Sequence, residues 1–96
     1  AIQRADQALE INPRYVQALI HLARIYAKGD QEEAAIHRLY EAIRFGGDYP
    51  DVHYMLGELL RRSGDGPGAR REFRRALELN SNFDAARHAL AGVECA

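Results

Sequence analysis

The chain has 96 residues, 47% hydrophobic and 28% charged, with thirteen Lys+Arg against fourteen Asp+Glu for a formal net charge of −1. That length holds one domain at most, which excludes a multi-domain enzyme, and the balance is that of a folded chain rather than a disordered one. Near-neutral charge and the lack of any apolar run approaching the ~18 residues of a membrane helix give no reason to expect nucleic acid or membrane insertion.

Further limits come from single residues. The lone cysteine, Cys95, cannot close an internal disulfide, and the opening AIQRADQALEINP is too polar for a signal peptide, so a cytoplasmic location is expected. The chain starts without Met and in mid-pattern, as a piece of a longer array would. Twelve of its thirteen basic residues are Arg, a bias that fits a GC-rich bacterial gene.

Taken in order, the segments alternate between amphipathic helices and short breaks. Residues 1–13 form the first helix, with Ala1, Ile2, Ala5 and Ala8 along one side. In the second, Val16, Leu19, Leu22, Ala23 and Tyr26 recur at i, i+3, i+6, i+7 and i+10, a single stripe. Gly29-Asp30 breaks the pattern, and Asp30 with Glu33 has the spacing of a capping box for a third helix over 31–45. Gly46-Gly47 ends that helix, because glycine tolerates the left-handed backbone of a helix C-terminus. Asp48 is the expected opening of a fourth helix reaching Arg62, with Pro50 in its first turn, where a missing N–H costs little. Ser63-Gly64-Asp65-Gly66-Pro67 is a turn, a fifth helix spans 67–79, and Ser81 with Asp84 suggests a second capping box before a last helix. No stretch alternates with period two.

The chain also repeats itself. Leu22, Leu56 and Leu90 are spaced by 34, as are Ala8, Ala42 and Ala76, and Ala1, Ala35 and Ala69. Tyr15, Tyr49 and Phe83 form an aromatic column at the same period, and Ala23, Gly57 and Ala91 a small-residue column. Leu9, Ile43 and Leu77, and Ile11, Phe45 and Leu79, add two apolar columns without any gap. Small residues let helices approach closely, so Ala23, Gly57, Ala42 and Ala76 are expected contact points.

In these features the chain resembles the tetratricopeptide repeat family. The repeating helix–turn–helix unit carries the family's leucine–small pair (Leu22-Ala23, Leu56-Gly57, Leu90-Ala91), an aromatic in the first helix at Tyr26, and small residues in the second at Ala35/Ala42 and Ala69/Ala76. Asn12-Pro13 matches its closing proline. Gly47 and Ser81 stand where proline is usual, and His53 and Leu60 where an aromatic is common. The resemblance implies an all-α, right-handed helix–turn–helix solenoid of about six helices: 1–13 the second helix of a truncated repeat, 14–47 and 48–81 full repeats, and 82–96 a terminal helix. In that last helix Arg87 and Glu94 replace Leu19 and Tyr26, which suggests a capping helix with those columns facing water.

The resemblance further implies a protein-interaction module that binds a peptide or partner protein on a concave face lined by first helices. Residue by residue, and equally by what remains once the packing stripe is assigned, the lining is Gln17, Ile20, His21, Arg24, Ala27 and Lys28, then Asp51, Tyr54, Met55, Glu58, Arg61 and Arg62, then Ala85, His88 and Ala89. The set is mildly basic with apolar contacts at Ile20, Tyr54 and Met55, which suits a peptide bearing acidic and apolar side chains. The family's chaperone-tail clamp needs Lys and Asn where Ile20, Arg24, Met55, Ala85 and Ala89 stand, and its asparagine ladder would occupy His21, Met55 and Ala89, so neither is expected. Two other classes stay open: a recruiting arm of a larger enzyme, and a scaffold that self-associates into a homodimer through its exposed array ends, including the Ala1, Ile2, Ala5 and Ala8 side.

A second patch, Arg70, Arg71, Arg74 and Arg75, contains like-charge i,i+4 pairs, offset in part by Glu72 and Glu78, and its expected state is a solvated helix face. Neither catalysis nor a cofactor or metal is expected. His21, His37, His53 and His88 lack zinc-site spacing, Gly64, Gly66 and Gly68 follow no strand, and Ser63 and Ser81 sit in turns. His53 is expected at a helix packing position and His37 on an outer face.

Overall fold

The computed structural model describes residues 13–95, among which there are five helices and no strand. They are α1 (Pro13–Lys28), α2 (Glu32–Arg44), α3 (Pro50–Arg62), α4 (Gly66–Leu79) and α5 (Asp84–Cys95). The helix expected over 1–13, with its Ala1, Ile2, Ala5 and Ala8 side, lies outside the described residues. No described helix is long and apolar enough to cross a membrane. The chain divides into two compact units between Asp48 and Tyr49. In the first, α1 packs on α2; in the second, α4 packs on both α3 and α5.

Three helices end in the same way. Asp30, Gly46 and Gly64 have φ of 62°, 104° and 95°, each just past a helix. Their N–H groups reach back to Ala27, Ile43 and Arg61, while the next residues, Gln31, Gly47 and Asp65, donate to Tyr26, Ala42 and Leu60 at 2.8–2.9 Å. These paired bonds satisfy the last orphan carbonyls of each helix.

This geometry corrects the expected role of Asp30. It holds the left-handed position that Gly64 fills one period later, a conformation that Asp tolerates better than most side chains. The capping position of α2 therefore falls to Gln31, whose side chain makes no capping bond, and the Asp30/Glu33 box does not form. In the second unit the equivalent residue is Asp65, and its carboxylate accepts the Gly68 N–H at 2.9 Å. Asp65→Ala is expected to cost about 1 kcal/mol, and copying the second unit's turn into the first (Asp30→Gly/Gln31→Asp) to add about as much. Urea unfolding of each variant measures both; equal stability of all three chains would contradict the capping assignment.

The other two expected caps are also displaced. Tyr49, in extended backbone, precedes α3 with Pro50 at its start, so Asp48 lies one residue upstream of the cap. Before α5 the turn is closed by Asn80, whose side-chain oxygen accepts the Asn82 N–H at 3.2 Å. Asp84 holds no capping box with Ser81. It accepts from the Arg87 guanidinium at 3.1 Å, and that guanidinium also donates to the Ser81 carbonyl at 2.8 Å.

The described residues of the alanine columns and Leu56 join the other stripe residues of each helix in the core, while Tyr15, Tyr49 and Leu79 of the remaining columns stay exposed. Val16, Leu19, Ala23, Ala35, Leu39 and Ala42 are buried in the first unit, and Leu56, Leu60, Ala69, Phe73 and Ala76 in the second. The leucine column is uneven: Leu56 is fully buried, Leu90 partly so, and Leu22 is 39% exposed.

Two pairs set the second unit apart. Phe73 is fully buried against Gly57, where an added Cβ would lie 2.6 Å from the ring carbon Cε1. His53 is buried in the column that holds Leu19 in the first unit, and its Nδ1 lies 2.7 Å from Glu72 Oε1. Glu72 is itself only 8% exposed. His37, by contrast, is exposed on α2.

Candidate functional site

The α3 helix exposes one strip that the core does not use. Asp51, Tyr54, Glu58 and Arg61 follow one another at i, i+3, i+7 and i+10, so their side chains share a face. On α5, Ala85, His88, Ala89 and Gly92 recur at i, i+3, i+4 and i+7. Because three of those four residues are small, the two helices leave a groove of about 360 Å³ lined by Tyr54, Glu58, Arg61, Ala85, His88, Ala89 and Gly92.

Tyr54 is the fixed point of this groove. Its ring lies 5.8 Å from that of Phe73 and 5.2 Å from that of Phe83, both tilted at 45°. Aromatic pairs at such separations contribute about 0.5–1.5 kcal/mol beyond their area burial, which favours this placement of the ring. Phe83 belongs to the aromatic column at period 34; its counterpart Tyr15 packs edge-on against Phe45 at 5.1 Å in the first unit. Burial pushes the Tyr54 hydroxyl above its ordinary pKa, and its hydrogen bond to the Glu58 carboxylate and that group's charge push the same way, against a smaller opposing pull from Arg61. The phenol is therefore neutral at physiological pH, an amphipathic surface with one polar edge.

Arg61 completes the polar side. Its guanidinium donates to Glu58 Oε1 at 2.8 Å and remains half exposed. Glu58 thus joins Tyr54 to Arg61, and the groove carries a compensated ion pair rather than an unopposed cation. The mildly basic lining expected from a count of charges is locally near neutral.

Of the residues expected to bind, the fold brings Tyr54, Glu58, Arg61 and His88 together, with Ala85 and Ala89. Gly92 was missed, although carrying the same helical count one step past Ala89 reaches it. Asp51 and Arg62 are exposed on α3 but do not line the groove, and Met55 is half buried beside it in sequence. In the first unit Gln17, His21, Arg24 and Lys28 form an exposed strip on α1, at i, i+4, i+7 and i+11. Ile20 does not join them: at 7% exposure it belongs to the core, because the apolar stripe of α1 is wide enough to include both Leu19 and Ile20. Among the described residues no three His, Cys, Asp or Glu side chains converge as a metal site would require.

Comparison with known proteins agrees with the helix pairs. A family model described as tetratricopeptide repeat matches residues 1–59, and a second model with the same description matches 50–83. No curated protein matches the chain by sequence. With one model spanning more than half of its length and the helix pairs recurring at the period of the sequence columns, the chain belongs to the tetratricopeptide repeat family.

Proposed function

We propose that this chain is a binding module that takes a short peptide segment of a partner protein in the groove between α3 and α5. Tetratricopeptide repeats are in general protein–protein interaction modules. The observation that carries the reading is Tyr54, a neutral aromatic restrained by two rings and set beside space left by Ala85, Ala89 and Gly92. A rigid aromatic loses little entropy on binding and offers a large contact area, which is why such residues dominate interface energetics.

The ligand chemistry follows from the lining. An apolar side chain would lie on Tyr54 and the small residues of α5. A carboxylate next to it would take the Arg61 guanidinium in exchange for Glu58. Since Glu58 already compensates Arg61, the apolar contact supplies most of the affinity and the carboxylate supplies selectivity. The repeat fold is non-catalytic, and the groove serves to hold a partner rather than to transform one.

A peptide array probed with the chain would test this. Peptides pairing an apolar residue with Asp or Glu are expected to bind, and Tyr54→Ala/Arg61→Glu to weaken them at least about tenfold, or 1.4 kcal/mol. Arg62→Ala, outside the groove, is expected to have no effect. Unchanged binding by the double variant would remove the groove from the argument.

A further inference from the structure

A second depression, of about 440 Å³, lies along α4 and shares no residue with the α3–α5 groove. It is lined by Pro67, Arg70, Arg71, Arg74, Arg75 and Glu78. The sequence suggests that Glu72 and Glu78 dilute these arginines, but the fold withdraws one of the two acids. Glu72 points inward to His53 at 2.7 Å and is only 8% exposed, with Arg71 Nε at 3.9 Å. The lining thus presents four guanidinium groups and the one carboxylate of Glu78, which accepts from Arg75 at 3.1 Å.

The arrangement of these charges is ordered. Arg70 and Arg74 are one turn apart, as are Arg71 and Arg75, so two rows run along the helix with a rise of roughly 6 Å between members. Like charges at this spacing repel and weaken the helix slightly in the isolated chain. An anionic partner would relieve that repulsion on binding. The carboxylate sits at the C-terminal end of the face, so the face has a basic end and a mixed end.

We propose that this face of α4 docks an acidic helical segment of a partner protein, one with Asp or Glu on successive turns and a basic residue toward the Glu78 end. Guanidinium forks match carboxylates in bidentate geometry, and carboxylates one turn apart on a helix have the same rise as the two arginine rows. A nucleic acid fits less well. The lining has no aromatic side chain on which a base could stack, and Glu78 opposes a continuous run of phosphates. The chain's formal net charge of −1 gives no long-range attraction for a polyanion either.

Fluorescence anisotropy with four probes distinguishes these partners: a helical Glu-rich peptide ending in Lys, its Gln counterpart, a single-stranded oligonucleotide, and vesicles containing anionic lipid. The Glu-rich peptide is expected to bind most tightly and to weaken about tenfold on going from low to moderate salt, because the contacts are exposed ion pairs. Arg70→Glu/Arg74→Glu is expected to abolish that binding, while Tyr54→Ala leaves it unchanged, which separates this face from the groove. Arg70→Gln/Arg74→Gln, which keeps long polar side chains and removes like-charge repulsion, is the second variant; it is expected to retain full helicity and to lose at least about tenfold in affinity. Equal binding of the Gln variant and the parent would overturn the proposal. So would tighter binding of the Gln peptide, the oligonucleotide or the vesicles than of the Glu-rich peptide.

Discussion

Replacing His53 with Leu is expected to destabilise the chain by about 3 kcal/mol, even though Leu is the residue that the first unit accepts at the equivalent position. Leu19 is buried there, one period earlier, so the shape of the site is compatible with an aliphatic side chain. The cost comes from Glu72. With His53 gone, its buried carboxylate faces an apolar side chain, and the remaining cation is the exposed Arg71 at 3.9 Å. Removing one member of a buried pair leaves the other desolvated without compensation, whereas removing both does not. His53→Leu/Glu72→Met is therefore expected to return to within about 1 kcal/mol of the parent. Urea unfolding of the parent, both single variants and the double variant provides the cycle. Additive losses would mean that the two side chains are buried independently and that the contact contributes nothing specific.

That pair also marks the limit of what the sequence discloses. The alanine columns at period 34 were legible because packing acts on residue size, and size is written in the residue type: Ala35, Ala42, Ala69 and Ala76 are buried where the period puts them, whereas Tyr15, Tyr49 and Leu79 of the larger columns stay exposed. The exposed strip on α3 was legible for the complementary reason, since Tyr54, Glu58 and Arg61 are what the core leaves over. Direction was not legible. Glu72 counts as a surface acid among arginines until the fold turns it toward His53, and Arg61 counts as a free cation until Glu58 meets it at 2.8 Å. Helix caps failed at a finer scale. Asp30 and Gln31 correspond to Gly64 and Asp65, so an acid shifted by one residue closes one helix instead of opening the next. A pattern read with a tolerance of one residue finds the helices and misses their ends.

The same internal comparison yields the second large effect. Gly57→Ala is expected to cost about 1–2 kcal/mol, although Ala is the better helix former by about 1 kcal/mol. The added Cβ would lie 2.6 Å from Cε1 of Phe73 and 2.8 Å from Cδ1, and that ring is fully buried, so making room for it means displacing packed neighbours. Phe73→Leu alone is expected to cost a similar amount, about 1–2 kcal/mol, by leaving space over the glycine. Together the two changes are expected to cancel in large part, because they install the combination that the first unit already uses. Ala23 and Leu39 stand one period before Gly57 and Phe73, and both are fully buried. Across the two units a larger side chain on the second helix accompanies a smaller one on the first, as a fixed interhelical distance demands. A double-mutant cycle by thermal or urea unfolding reads the compensation as a coupling of about 1–2 kcal/mol. If the losses simply add, helix spacing differs between the units enough that each pair fits only its own site, and the repeat constrains sequence position without constraining shape.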